Sequence, residues 1–237
     1  MISLELLKRE LKTLGSLDKA KILQYFFKTK PGQYGAGDVF LGITVPLVRQ
    51  TAKKYVNLSL SDISLLLKSK FHEFRLAALL ILVLKYEKAT DLKTKKEIVD
   101  FYLKHSFWIN NWDLVDLSVY KILGNYLLTS KDKDDILNRL ANSSYLWERR
   151  MAIVSTYAFI KSGRYQETFL ISKKLMKDDH DLIHKAIGWM LREVGKRISK
   201  EKLEKFLIKN ISGMPRVSLR YALEHFSQKD RQYFLKK

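Results

Sequence analysis

A helical pattern that recurs along most of the chain constrains its fold more than any other feature. The second helix of each recurring pair has a small residue near its start, and these small residues are 41, 34, 34 and 36 positions apart. They are Ala77, Ser118, Ala152, Ala186 and Ala222. Such spacings are typical of helix-pair repeats, which stack because a single pair cannot bury its apolar faces alone. The sequence therefore predicts an all-α protein, a right-handed α-solenoid of about six helical repeats.

Two positions before each small residue stands a polar side chain. These residues are Arg75, Asp116, Arg150, His184 and Arg220. If the second helices line the concave surface, the basic members form a track for phosphates. The fold prediction therefore includes a basic concave groove.

Capping residues and apolar periodicity locate the individual helices. Ser3 suits the N-cap of a first helix, Leu4 to Leu14, and Ser16-Leu17-Asp18 suits the cap of the second. Pro46 suits the first turn of a later helix. The other expected helices are Lys19 to Lys28, Ile63 to Lys68, Lys95 to Leu103, Lys133 to Ala141, Tyr165 to Met176 and Glu201 to Asn210. The glycine-rich segment Lys30 to Ile43 fits neither a P-loop nor a Rossmann turn, so we expect a structured connection that folds back on the helices.

Composition limits the partners of the chain. It has 237 residues, which we interpret as one domain, and 44 basic against 25 acidic side chains give a net charge of +19. Such a charge favours a polyanion, nucleic acid first and an anionic membrane surface second. The longest uncharged apolar run, Leu76 to Leu84, is far shorter than the roughly 20 residues that span a bilayer. We expect a cytoplasmic, nucleoid-associated monomer without membrane contact.

Several kinds of site are excluded or disfavoured. The chain has no cysteine, so disulfides, thiolate zinc sites and cysteine nucleophiles are excluded. Its five histidines show no zinc-ligand spacing beside an acidic cluster. We therefore expect neither a metal nor another cofactor.

The stretch from Asn110 to Tyr126 contains the strongest candidate site. Trp112 and Asp116 are four residues apart and share one helix face. An anion in a basic track weakens polyanion binding, and beside an aromatic face it favours a cationic ligand. Two plainer roles remain open for this carboxylate: a helix-dipole partner, or a salt bridge to Arg150 in the next repeat.

Trp189 lies three residues beyond Ala186 and therefore on nearly the same face of its helix. Gly188 precedes it at a cost of about 1 kcal/mol relative to Ala, unless the missing side chain makes room for a neighbour. Trp108 and Trp147 are more simply interpreted as core residues.

At these residues the sequence resembles the AlkD family of bacterial DNA glycosylases, which are built from HEAT-like repeats. The resemblance covers nearly the whole chain. It rests on YGAGDVFLGITVP (34–46), NNWDLVD (110–116), WERRMAI (147–153) and KAIGWMLRE (185–193). It implies excision of cationic N3- and N7-alkylated purines from double-stranded DNA, without a metal and without flipping the base into a pocket.

The resemblance also implies roles for single residues. Asp116 matches the catalytic acid of the family, and Trp112 and Trp189 match the two tryptophans of its cleft. The resemblance points to DNA contacts by Arg150, Arg49 and Arg192. We also expect Lys185 and Arg149 to contact DNA. The sequence departs from the family pattern at Phe26, where the family has a tyrosine, and at Leu182, where it has an aromatic residue.

Two other functions stay open at this point. One is a DNA-binding relative without excision activity. The other is a protein-interaction scaffold, a common role of helical repeat arrays, which the net charge of +19 argues against.

Overall fold

The computed structural model describes residues 3–236 and confirms the all-α class. Within this range no β-strand forms, and the only extended pairing is an isolated parallel bridge between Val39 and Phe71. The described chain divides after Ser118 into two compact units. The right-handed solenoid, its concave groove and the single domain over 1–237 stay predictions.

The first unit contains seven α-helices. They are α1 (Leu4–Thr13), α2 (Leu17–Phe26), α3 (Val45–Lys54), α4 (Leu60–Leu67), α5 (His72–Lys88), α6 (Leu92–Lys104) and α7 (Trp112–Ser118), with a 3₁₀ turn at Ser106–Trp108 before α7. Every helix predicted here forms, with ends shifted by a few residues. Ser3 and Ser16 accept N–H groups as N-caps of α1 and α2, as their sequence positions suggest.

Helix α5 forms the core of the first unit. It packs against α1, α3, α4, α6 and α7, and 13 of its 17 residues are buried. A helix that is apolar nearly all round can occupy such a central position, since no face has to meet water.

The glycine-rich connection between α2 and α3 is structured, as predicted, and is fastened to the start of α5. The Glu73 carboxylate accepts the N–H groups of Leu41, Gly42 and Ile43 at 2.8, 2.8 and 3.1 Å. Gly42 has a φ of +83°, and a Cβ there would lie 2.1 Å from the carbonyl oxygen of Ser16. Only glycine allows this approach to α2.

The second unit continues directly from α7. It begins with a π-helical turn at Tyr120–Gly124, followed by α8 (Asn125–Leu127), α9 (Lys133–Ala141), α10 (Leu146–Ser155), α11 (Tyr157–Lys161), α12 (Gln166–Leu175), α13 (Asp181–Arg197), α14 (Lys200–Asn210), α15 (Arg216–Ala222) and α16 (Gln228–Leu235), with a 3₁₀ turn at Ile211–Gly213. Helix α13 is its centre and packs against α10, α11, α12, α14 and α15. The predicted helix at Lys133 to Ala141 has the same ends in the structure.

Gly188 makes room for a neighbouring helix. A Cβ at this position would lie 2.5 Å from the Cβ of Tyr221 and 2.6 Å from the carbonyl oxygen of Ser218, both in α15. The mid-helix glycine therefore lets α13 and α15 pack backbone to backbone.

Candidate functional site

Trp112, the first residue of α7, belongs to an aromatic stack in the first unit. Its ring lies parallel to Phe27, with centroids 5.0 Å apart, and Phe27 stacks in turn on Phe40 at 5.0 Å. Phe40 stacks on the imidazole of His72 at 4.4 Å. Phe26 meets the Trp112 ring edge-on at 5.9 Å. Trp112 keeps part of its surface exposed, and the stack fixes the plane of its ring.

A buried group of charged side chains ends this stack. His72 lies between two carboxylates, with Nδ1 3.1 Å from Asp38 and Nε2 2.8 Å from Asp113. The Arg75 guanidinium lies 2.6 Å from the other oxygen of Asp38. All four residues are at most 5% exposed. With His72 protonated, two positive and two negative charges balance, which buried charges require.

The carboxylates keep His72 protonated. Burial alone lowers the pKa of His72, but the charge and hydrogen bond of Asp113, with the hydrogen bond of Asp38, raise it to about 9. Burial likewise raises the pKa of Asp38, yet the hydrogen bond from His72 and the charge of Arg75 hold it below its ordinary value. At neutral pH His72 and Asp38 are therefore both charged.

The same group fixes the start of α7. Asn111 donates its amide to Asp38 at 3.3 Å, and its oxygen accepts the N–H of Trp112 at 2.8 Å. Asp113 uses its second oxygen to accept the N–H of Leu114 at 2.9 Å. The position of Trp112 therefore depends on α5 and the glycine-rich connection.

Asp116 lies one turn after Trp112 and is half-buried, unlike the buried Asp113. Its negative charge acts on the buried hydroxyl of Tyr102, which bonds to the Ser118 hydroxyl at 2.9 Å. Burial raises the pKa of Tyr102 far above its ordinary value, and Asp116 raises it further against the effect of Ser118. Tyr102 therefore stays neutral, and it places no second anion beside Asp116.

An apolar cavity of about 430 Å³ lies beside the aromatic stack. Phe26, Phe27 and Phe40 line it together with the α2 residues Ile22 and Leu23. Phe26 is 57% exposed.

Trp189 lies in the second unit, on α13. Its partly exposed ring is 6.1 Å from that of Tyr157, and Tyr157 meets Tyr120 edge-on at 5.1 Å. The sequence did not predict this contact, because the two tyrosines are 37 residues apart and helical spacing relates neither of them to Trp189.

The arginines expected to contact DNA differ in how firmly the fold holds them. Arg149 is bound to Asp178 at 2.5 Å and to the carbonyl oxygens of Ser143 and Ser144. Arg192 is bound to Glu193 and Glu224. Both guanidiniums therefore have structural partners that a DNA contact would have to share.

The other three residues expected to contact DNA differ in their exposure and in their partners. Arg150 is 5% exposed and donates to the carbonyl oxygen of Leu182. Lys185 pairs with Asp181 at 2.7 Å and keeps 42% of its side chain exposed. Among the described residues, Arg49 has no hydrogen-bond or ion-pair partner and is half-buried. Arg49 is thus the most available cation of the expected set.

The helix starts correct the repeat alignment. Counted from the N-cap residues of α5, α10 and α13, the fourth residues are Arg75, Arg149 and His184. Each of these side chains bonds to the backbone carbonyl six residues earlier, at Ser69, Ser143 and Asp178 respectively. Arg150 lies at the fifth position, together with Asp116, Lys185 and Arg220.

The predicted phosphate track was therefore wrong at Arg75. This residue is 3% exposed and pairs with Asp38. His184 also has a partner within the protein, because its Nε2 forms a hydrogen bond with the backbone carbonyl of Asp178. The sequence alignment was off by one position at both residues. The small residue on which it was based is the sixth after the N-cap in α5 and α13 but the seventh in α10 and α15.

Within residues 3–236, no cluster of three or more histidine or carboxylate side chains could hold a metal ion. No helix in residues 3–236 combines the length and the apolar character needed to cross a membrane.

Comparisons with known proteins agree with the fold. The sequence model of a family described as DNA alkylation repair enzyme matches residues 7–226. A solved structure from Enterococcus faecalis, described as a "predicted DNA alkylation repair enzyme", superposes with a TM-score of 0.71 and 16% identity, over 90% of this chain and 97% of that chain. At this identity the likeness concerns the fold alone. Among curated protein sequences, none matches the chain.

Proposed function

Because the chain belongs to the DNA alkylation repair enzyme family, we propose that it is a DNA glycosylase for cationic N3- and N7-alkylated purines in double-stranded DNA. The observation that carries the proposal is the contrast within α7. Asp113 is buried and bonds to His72. Asp116, by contrast, is partly exposed and lies one turn after Trp112, whose ring is held by the aromatic stack. A partly exposed carboxylate next to an aromatic face suits a cationic substrate.

The reaction needs little proton chemistry. An alkylated purine carries a positive charge, so the bond between N9 and C1′ breaks with its electron pair moving to the base, which leaves neutral. Positive charge then develops on the deoxyribose. Water adds to C1′ and loses a proton, and the product is an abasic site.

Asp116 has two roles in this scheme. Its carboxylate stabilises the developing positive charge on the sugar, and it orients the attacking water and accepts its proton. At about 4 Å and an effective dielectric near 20, such an interaction amounts to roughly 4 kcal/mol. If it arises only in the transition state, the rate rises on the order of a thousandfold.

Trp112 and Trp189 would favour the lesion over a neutral base. An indole face attracts a cation by roughly 0.5–2 kcal/mol. The remaining affinity would come from the positive charge of the chain, with Arg49, Arg149, Arg150, Lys185 and Arg192 as the proposed DNA contacts. Acting on chromosomal DNA, the protein would be cytoplasmic, nucleoid-associated and monomeric.

The test is single-turnover release of N7-methylguanine from a labelled duplex by the wild-type protein. The proposal expects first-order release and an abasic product that alkali cleaves. DNA binding without any release would contradict the proposal and leave a DNA-binding relative without activity.

A further inference from the structure

The second unit carries an aromatic surface that extends beyond Trp189. We define the aromatic row as Tyr120, Tyr157 and Trp189. Its ring centroids are 5.1 Å apart between the two tyrosines and 6.1 Å apart between Tyr157 and Trp189. All three residues are half-buried, so each ring is anchored in the fold and still reaches the surface.

Cations flank this row. The Nζ atoms of Lys121 and Lys161 lie 5.8 and 6.0 Å from the centre of the Tyr120 ring. The Arg197 guanidinium lies 5.5 Å from the centre of Tyr157 and pairs with Glu193 at 2.7 Å. In the described part of the chain, neither lysine forms an ion pair with an acidic side chain. Their charge is therefore available to a ligand.

A short departure from regular α-helical geometry positions the aromatic row. The N–H of Gly124 bonds to the carbonyl of Val119 five residues back, at 2.9 Å, which makes a π-helical turn. A Cβ on Gly124 would lie 2.4 Å from the carbonyl oxygen of Ser155, so this turn packs tightly on α10. Single π-turns inside helices frequently mark functional sites. Here the turn contains Tyr120 and Lys121.

We propose that the aromatic row binds an unstacked stretch of a DNA strand, with base faces on the rings and phosphates at Lys121 and Lys161. The combination of aromatic faces and unpaired cations is the one that single strands require, because bases stack on the rings while the backbone follows the charge. The inference rests on the proposed function only in taking DNA as the partner.

A second aromatic and basic surface in the same unit serves as a control. Between α12 and α14, Lys202 lies 4.4 Å from the centre of the Tyr165 ring, and Lys173 lies 6.0 Å from that of Phe206. Phe206 is 5% exposed and stacks on Phe169, so it offers no free face. Replacing Lys173 and Lys202 by neutral residues removes as much positive charge from the protein as replacing Lys121 and Lys161.

The test measures equilibrium binding of an unmodified, labelled thymidine decamer by fluorescence anisotropy. Tyr157→Leu should weaken binding by about fivefold or more, whereas Tyr157→Phe, which keeps the ring, should stay within about twofold of wild type. The pair Lys121→Gln and Lys161→Gln should lower the slope of log affinity against log salt by about 1.4, since a single strand contributes about 0.7 per phosphate contact. The pair Lys173→Gln and Lys202→Gln should leave the slope nearly unchanged.

Equal binding by the leucine and phenylalanine variants, or equal slopes for the two lysine pairs, would overturn the inference. The lysine variants decide the matter if Tyr157→Leu fails to fold. Because the decamer carries no lesion, excision plays no part. Wild type that binds but never excises would refute the glycosylase proposal alone, whereas full excision with unaltered decamer binding by these variants would refute the aromatic row alone.

Discussion

His72 Nε2 lies 2.8 Å from an oxygen of Asp113, and both side chains are buried within the first unit. The contact joins the first turn of α5 to the first turn of α7. Asp113 follows Trp112 directly in α7, and the Phe27 ring contacts both Trp112 and His72, with centroid distances of 5.0 and 5.2 Å. The geometry of the proposed site therefore depends on a histidine 40 residues away in sequence from Trp112.

This contact predicts a pH dependence of stability. The pKa of His72 is raised from 6.5 to about 9, so its contribution is fully present below pH 6.5 and is lost as the pH rises through about 9. At 1.36 kcal/mol per pKa unit, the free energy of unfolding should fall by about 3 kcal/mol over this window. Urea denaturation at several pH values from 6 to 10 measures it. His72→Gln is the control and should lose most of the slope; an equal slope in both proteins would disprove the assignment.

The close packing at Gly188 predicts that an alanine there lowers stability, whereas helix propensity alone predicts that it raises stability. Gly-to-Ala in a helix interior normally stabilises by about 1 kcal/mol. At Gly188 the new methyl group would meet the backbone of α15, so Gly188→Ala should instead destabilise by about 1–3 kcal/mol. Thermal unfolding checks the sign. Gly213→Ala is the matched control, since nothing lies within 4 Å of its added Cβ; a stabilised Gly188→Ala protein would refute the close packing.

Substitutions at Arg49 and Arg149 should affect different properties: the first DNA binding, the second the free energy of unfolding. Arg149→Gln leaves the Asp178 side chain, 5% exposed, with the N–H of His180 but without its cationic partner, and should cost about 3 kcal/mol of unfolding free energy. Arg49→Gln breaks no hydrogen bond or ion pair and should leave stability nearly unchanged while lowering the salt slope of duplex binding by about one. Denaturation and salt titration of both variants test this. Unchanged DNA affinity of Arg49→Gln at every salt concentration would remove Arg49 from the interface.

Periodicity and capping predicted the helices well because these signals are local. Ser3 and Ser16 cap as expected, and the helix at Lys133–Ala141 has the predicted ends. The repeat alignment failed at Arg75, where one position decides between a surface and a buried ion pair. Helical spacing alone could not resolve that difference.

The buried charge group could not be predicted. Asp38, His72 and Asp113 are 34 and 41 residues apart and lie on three different elements. No spacing rule brings them together. A weak signal existed: Asp113 follows Trp112 directly, and a second acid in so short a stretch of a basic chain needs a partner.

The central claim is that Asp116, and not Asp113, acts on the substrate. The most direct measurement compares single-turnover release of N7-methylguanine by wild type, Asp116→Asn and Asp113→Asn, together with duplex affinity and thermal unfolding. Asp116→Asn should lose on the order of a thousandfold in rate, with DNA affinity equal or slightly tighter. Asp113→Asn should chiefly lose stability, because it leaves His72 facing one carboxylate. Release by Asp116→Asn at the wild-type rate would contradict the account.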